Sequence, residues 1–255
     1  MATVTTPRKL AVVPAYNEAA CVGGVVRNLR SYASDYDVLV IDDGSTDATS
    51  RIAAEAGARV LRLPFNLGIG GAVQSGFQYA LENDYDYAVQ VDGDGQHDAR
   101  EIGRLEWTMR DERVDMVCGS RFLTEDRAYP APISRRTGIH LFAYLLSWIV
   151  GQRVSDPTSG FRLYNRRGIA VFARDYPHDY PEVEAVLMVH WHRLRMCEVP
   201  VRMFTRNGGV SSINGSGKSA YYMVKVLLAI FMGLARSKQT IEPGDDAPVA
   251  ATHGI

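Results

Sequence analysis

Short apolar runs and amphipathic stretches alternate through the first half of the chain. Residues 10–14 (Leu-Ala-Val-Val-Pro) read as a strand, and the stretch of about 18–32 reads as a helix. A second strand, 37–42, runs into the turn-rich Asp43-Gly-Ser-Thr-Asp47. Ser45 or Thr46 is the expected N-cap of a helix over 47–56, because a side-chain oxygen there can accept from an otherwise orphaned backbone N–H. Strands at 59–63, 87–91 and 114–118 alternate with helices at 70–82 and 98–110. This alternation predicts an α/β fold with a mostly parallel sheet and helices on both faces.

The second half reads differently. Residues 120–134 form a charged, proline-containing loop, 138–150 are strongly apolar, and Asp156-Pro-Thr-Ser-Gly-Phe-Arg162 is turn-like. A helix is expected at 182–195 and a strand at 196–203. Residues 220–235 are almost wholly apolar, broken by Lys225. The expected organisation is a disordered N-terminus (1–8), a catalytic domain (9–217), an amphipathic membrane-association helix (218–236) and a disordered polar tail (237–255).

Composition narrows the partners. The formal net charge of -1 supplies no basic field, so no nucleic-acid partner is expected. Cys21, Cys118 and Cys197 form no CxxC pair, which argues against a zinc site or a disulfide framework and fits a reducing compartment. The first nine residues are polar and hold no secretory h-region, so the sequon Asn214-Gly215-Ser216 is expected to be idle.

In open α/β sheets ligands bind outside the carboxyl ends of the strands. Three predicted strand ends carry polar clusters: Pro14-Ala-Tyr-Asn-Glu18, Asp42-Asp43-Gly44 and Asp92-Gly-Asp-Gly-Gln96. They should line one crevice. Five carboxylates converging there would repel one another unless a cation or hydrogen-bond donors offset them. A divalent metal with a nucleotide would supply both.

Several phosphate-binding fingerprints fail. Gly68, Gly70 and Gly71 do not complete GxGxxG, because residue 73 is Val. Gly217-Lys218-Ser219 resembles the end of a P-loop, but Ser212 stands where its first glycine belongs. His190 and His192, two residues apart, do not share a helical face and are no metal pair.

Taken in order, PAYNE, DDGSTD, NLGIGG, DGDGQH, the Gly119-Ser-Arg121 triplet and TSGFR at 158–162 resemble family 2 glycosyltransferases of GT-A (Rossmann-like) fold. The resemblance covers roughly residues 9–212 and is nearest to dolichyl- and polyprenyl-phosphate mannose or glucose synthases. It implies a metal-dependent, inverting hexosyltransferase that uses a nucleotide diphosphate-sugar, UDP- or GDP-linked. It also implies roles for residues. Pro14, Ala15, Tyr16, Glu18, Asp43 and Asp92 would bind the nucleotide. Asp94 and Gln96, with Asp92 as a further candidate, would hold Mg²⁺ or Mn²⁺, which prefer hard oxygen ligands. Arg121, Arg135 and Arg206 would meet phosphate, since a guanidinium donates bidentately; Arg162 is a weaker candidate. Asp94, Arg121, Asp156 and Glu184 are the catalytic candidates, Asp156 and Glu184 as shapers of the acceptor site. His97 could contact phosphate or metal.

The acceptor is less legible. A lipid phosphate is already anionic, whereas a sugar hydroxyl needs a general base, for which Asp156, Glu182 and Glu184 are candidates. The apolar stretches 138–150 and 220–235 favour a lipid phosphate or a lipid-linked glycan, and each is shorter than the ~20 residues of a spanning helix. Lys218, Lys225, Arg236 and Lys238 flank or interrupt the second stretch, as suits an interfacial helix on an anionic bilayer. The expectation is a peripheral enzyme on the cytoplasmic face of the membrane, with a small membrane protein as a candidate partner. A buried core helix or a homodimer interface is the other use of such a stretch. A sugar nucleotidyltransferase is the remote alternative, and Pro14-Ala-Tyr-Asn-Glu18 lacks the glycine-rich basic loop that it needs.

Overall fold

The computed structural model describes residues 6–123, 133–177 and 181–204, with the side chains of 133–137 outside the description. Seven strands form one sheet in the order β3-β2-β1-β4-β6-β5-β7. They are β1 (Lys9–Ala15), β2 (Asp37–Asp42), β3 (Arg59–Arg62), β4 (Tyr87–Gln90), β5 (Met116–Ser120), β6 (Arg162–Asn165) and β7 (Met196–Pro200). All neighbours run parallel except β6, which is antiparallel to both β4 and β5.

The helices are α1 (Val22–Tyr32), α2 (Thr49–Glu55), α3 (Gly68–Glu82), α4 (Ile102–Asp111), α5 (Ile133–Val150), α6 (Arg166–Arg174) and α7 (Pro181–Trp191). Alternate residues of a strand point to opposite faces, so the central strands feed two cores. Leu10, Val12, Leu39 and Ile41 join one core with buried residues of α3, α5, α6 and α7. Ala11, Val13, Val38 and Val40 join the other, with residues of α1 and α4. The sheet is therefore covered on both sides, as the alternating pattern predicts.

Several expected boundaries shift for local reasons. The first helix starts at Val22, because the backbone N–H groups of Asn17, Glu18 and Ala19 bond to the loop after β2 instead. Neither Ser45 nor Thr46 caps α2: Ser45 Oγ accepts from Asn17 N, and Thr46 turns to Asn17 Oδ1. Asp47 takes over that end, accepting from Thr49 N at 2.9 Å. Asp98 caps a 3₁₀ turn at Ala99–Glu101 before α4. Arg8, expected in a disordered N-terminus, donates its backbone N–H to Asp86 at 2.8 Å.

The main departure is β6. The turn at 156–162 leads into a strand that inserts between β4 and β5. Because β6 is antiparallel, its first residue, Arg162, lies at the carboxyl ends of its neighbours, opposite Gln90 and Cys118. That topology carries the 156–162 turn to the ligand edge of the sheet.

Candidate active site

The loops after β1 and β2 are laced together by short polar side chains. Asn17, with φ 54°, accepts from Thr46 N at 2.9 Å, and its own N–H donates to Ser45 Oγ at 2.9 Å. Glu18 N donates to Thr49 Oγ1 at 2.9 Å. Burial works to raise the Asp47 carboxyl, but the Thr49 hydroxyl and the N–H donors of Thr49 and Ala19 prevail and hold it below the usual range. Asp43 is buried, and its two oxygens accept from Leu67 N at 2.7 Å and Gly68 N at 2.9 Å, at the start of α3. A carboxylate has about four acceptor sites, so these bonds orient Asp43 without exhausting it. Tyr16 stands exposed beside this seam.

The acidic turn after β4 sits against the end of β1. Gly93 N donates to Pro14 O at 3.2 Å, and a Cβ on Gly93 would lie 2.9 Å from that oxygen. Only glycine allows this approach, which explains the residue between the two aspartates. Asp94 Oδ1 accepts from Gln96 N at 3.0 Å. Asp92 Oδ1 faces the buried Gln90 amide at 3.3 Å, and Tyr176 Oη reaches Gln90 Oε1 at 3.4 Å. Gly160 makes room for this pair: a Cβ there would lie 3.0 Å from Gln90 Nε2 and 3.1 Å from Asp92 Oδ2.

His97 packs into the acidic turn, with Nε2 3.6 Å from Asp92 Oδ2. Its ring is buried, stacks on Phe161 at 4.8 Å, and accepts at Nδ1 from Asp92 N at 3.0 Å. It braces the acidic turn from within the fold. Met203 forms a bridge with His97, and Phe204 N donates to Gln96 O at 2.8 Å. Residues 203 and 204 thus lie beside the acidic turn. Behind that turn a cleft of about 190 Å³ opens toward α1. It is smaller than the ~300–1,000 Å³ of usual ligand pockets.

The other side of the crevice is built on charge. Arg121, just past β5, donates Nε to Asp156 Oδ2 and Nη2 to Asp156 Oδ1, each at 2.7 Å. Arg121 N and Thr158 Oγ1 add further bonds to the same carboxylate. Asp156 is 0% exposed, and its backbone N–H is held by Glu198 on β7 at 3.0 Å. A carboxylate so occupied is poorly suited to take a proton from a substrate. Its position fits the holding of Arg121, and this alters the role that the sequence suggests for it.

Glu182 and Glu184 lie half-buried in the first turn of α7. Burial pushes the Glu182 carboxyl above the usual range; Asp92 adds to the rise, while Arg162 and Arg121 oppose it. Glu182 is thus within electrostatic range of Asp92 on one side of the crevice and Arg121 on the other. Arg135 lies in α5 with its side chain outside the described residues, and Arg206 lies beyond them. So do segments 218–236 and 237–255. Among the described residues no three His, Cys, Asp or Glu side chains gather as a metal cluster. Oxygen donors from Asp94, Gln96 and Asp92 fit Mg²⁺ or Mn²⁺, which are held by one or two carboxylates together with substrate phosphates.

The model of "Glycosyl transferase family 2" matches residues 10–172. The chain belongs to this family. The match ends just beyond β6, so it spans both sides of the crevice. Among curated proteins, the undecaprenyl-phosphate mannosyltransferase of Micrococcus luteus is 30% identical over 224 residues, covering 82% of this chain and 88% of the relative. The polyprenol monophosphomannose synthase of Mycolicibacterium smegmatis is 27% identical over 223 residues, covering 83% of each. The glucosyl-3-phosphoglycerate synthase of Mycobacterium tuberculosis, solved with Mn²⁺ and UDP, aligns over 91% of this chain and 82% of its own, with a TM-score of 0.69 and 18% identity. That likeness is one of fold, GT-A, and the chain is a glycosyltransferase of that architecture.

Residues that the sequence did not flag also shape this family 2 site. Glu198 and Gln90 are polar residues inside otherwise apolar strand runs, and that isolation was the available signal.

Proposed function

We propose that this chain transfers a hexose, with inversion, from a nucleotide diphosphate-sugar to a polyprenyl-type phosphate. The observation that carries the reading is the saturated Asp156–Arg121 pair. On the acceptor side Arg121 is a fixed cation, 9% exposed and held by Asp156 and Thr158, while the most buried carboxylate there is fully occupied. A phosphate acceptor needs the first and does not need a base. Both curated relatives described above are named for polyprenyl- or undecaprenyl-linked mannose, which supports the same acceptor class.

In this reading the crevice beside Tyr16, Glu18 and Asp43 receives the nucleoside, and Asp92 lies at its sugar. Asp94 and Gln96, with Asp92, would hold Mg²⁺ or Mn²⁺. When bound, the ion supplies Lewis-acid stabilisation of the departing diphosphate. An acceptor phosphate oxygen attacks the anomeric carbon as the bond to the diphosphate breaks. Arg121 orients the acceptor phosphate through its guanidinium, and Arg135 and Arg206 add charge. Arg206 follows by two residues the Phe204 that is pinned to Gln96.

The acceptor also suggests where the enzyme works. No described helix is long and apolar enough to cross a membrane. On α5, Leu141, Tyr144 and Trp148 recur at helical spacing and are exposed, Tyr144 by 72% and Trp148 by 78%. Aromatic residues of this kind suit a bilayer interface, so the reading includes peripheral docking on the cytoplasmic face.

Glu182 favours a second reading. A carboxyl raised by burial is a usable general base near neutral pH, which a sugar hydroxyl of a lipid-linked glycan would require. The deciding experiment incubates the protein with Mn²⁺ and a panel of UDP- and GDP-sugars, with and without polyprenyl phosphate. Glycosyl-phospholipid formation is expected. Transfer only to a glycoside hydroxyl, abolished in E182Q, would replace the first reading with the second.

A further inference from the structure

Arg162 is the largest fully buried side chain in the described protein, at 1% exposure. It starts β6 in the middle of the sheet, between Gln90 on β4 and Cys118 on β5. Among the described residues no carboxylate oxygen lies within ion-pair distance of it, and its Nε and Nη1 find no well-formed hydrogen bond, although Cys118, Tyr164 and the Glu182 carboxyl lie near enough to act on its charge. Removing an arginine from water in this way costs several kcal/mol even after relaxation, and each unpaired donor adds ~1–3 kcal/mol. An apolar side chain of similar length would avoid both costs. Stability therefore does not account for this residue.

Its one engaged nitrogen does. Nη2 donates to Glu182 O at 2.6 Å and to Pro157 O at 3.2 Å. Pro157 directly follows Asp156, which clamps Arg121. Glu182 is the second residue of α7. One guanidinium thus spans two segments that are far apart in sequence and lie on the same side of the crevice.

We propose that Arg162 is a positioning residue. It ties the turn that holds Arg121 to the first turn of the helix that carries Glu182, and so fixes the acceptor side of the site; this rests on the transferase reading above. On the nucleotide side the loops are joined mainly by backbone N–H groups, with the exposed Arg62 donating to Ser45 O at 3.1 Å.

The test compares R162M and R162K with the wild type, all full length. Four quantities are read: thermal midpoint, binding of UDP–Mn²⁺ and GDP–Mn²⁺ by calorimetry, steady-state transfer to polyprenyl phosphate, and amide exchange. R162M is expected to melt at or above the wild-type temperature and to bind nucleotide unchanged. Its kcat should fall by about 100-fold, the scale of an ångström-sized misplacement of reacting groups. R162K, which keeps the charge and donors on a side chain one atom shorter, should recover part of that loss. Exchange should quicken in R162M at Ser159 and in residues 183–185, and not in β1 or β2.

Retention of kcat within about twofold in R162M would overturn the proposal. So would melting temperature and kcat falling together in both variants, which marks a merely structural residue. Should the wild type transfer no sugar, the transferase reading fails. The exchange pattern then still decides whether Arg162 joins the two segments, and unchanged exchange at both rejects it.

Discussion

The two sides of the crevice are held by different forces. On the β1–β2 side, neutral hydroxyls, one amide and well-served carboxylates accept from backbone N–H groups of neighbouring loops. On the β5–β6 side, a buried ion pair and a buried arginine connect segments 35 and 20 residues apart. The first arrangement orders backbone at little electrostatic cost. The second keeps charge inside the protein and depends on every partner being present. A nucleotide, common to many family 2 chemistries, suits the first kind of platform. An acceptor phosphate, in the reading proposed above, would meet the cation of the second, Arg121.

Substitutions should break the two sides differently. The largest effect is expected at the seam between them: D94A should lower turnover by about 10²–10³-fold, the scale of losing one preorganised electrostatic stabiliser. Chelation with EDTA should do the same to the wild type, with recovery on adding Mn²⁺. Next comes D156N. Removing one partner of a buried pair costs ~3–5 kcal/mol, read as a drop in the denaturation midpoint, and Arg121→Gln should add much less in the D156N background than alone. Full additivity would show that the two residues do not act as a unit.

G93A tests the other side. A methyl group 2.9 Å from Pro14 O must push the turn away, at a cost of ~1–3 kcal/mol, and the donor KM should rise more than kcat falls. A smaller effect is expected from E182Q on stability against pH. The folded carboxyl is raised, so the native state holds its proton more tightly than the unfolded chain. Wild-type stability should therefore fall as pH rises from the ordinary glutamate value of about 4.3 through the folded value. E182Q should be the more stable protein above that window, and its advantage over the wild type should shrink as the pH is lowered through the window. Smallest in stability, within about 0.5 kcal/mol, are Y144A and W148A. They should nevertheless weaken flotation with anionic vesicles.

The same contrast explains what could be read without a structure. Periodicity located β1 to β5 and their helices, because each element there is set by neighbours close in sequence. The place of the acidic turn, at the end of β4, was legible because the apolar run before Asp92 marks the strand. β6 was not legible. Its four residues, Arg162–Asn165, begin with an arginine whose burial is imposed by tertiary contacts, and no local pattern announces a strand there. The bond between Asp156 and Arg121 was not legible, because the two lie 35 residues apart. The stacking of His97 on Phe161 was not legible either, because its partner lies 64 residues away.

The strand order has a consequence for biosynthesis. β4 carries the acidic turn, yet β5, made next, never touches it; the gap waits for β6, more than seventy residues later. A chain emerging from the ribosome must therefore carry an open, apolar β4 flank, with Ala88 and Val89 along it, until residue 165 has cleared the exit tunnel. Such unpaired edges recruit other strands. Fragments ending before Arg162 should accordingly aggregate, whereas fragments that include β6 should stay dispersed.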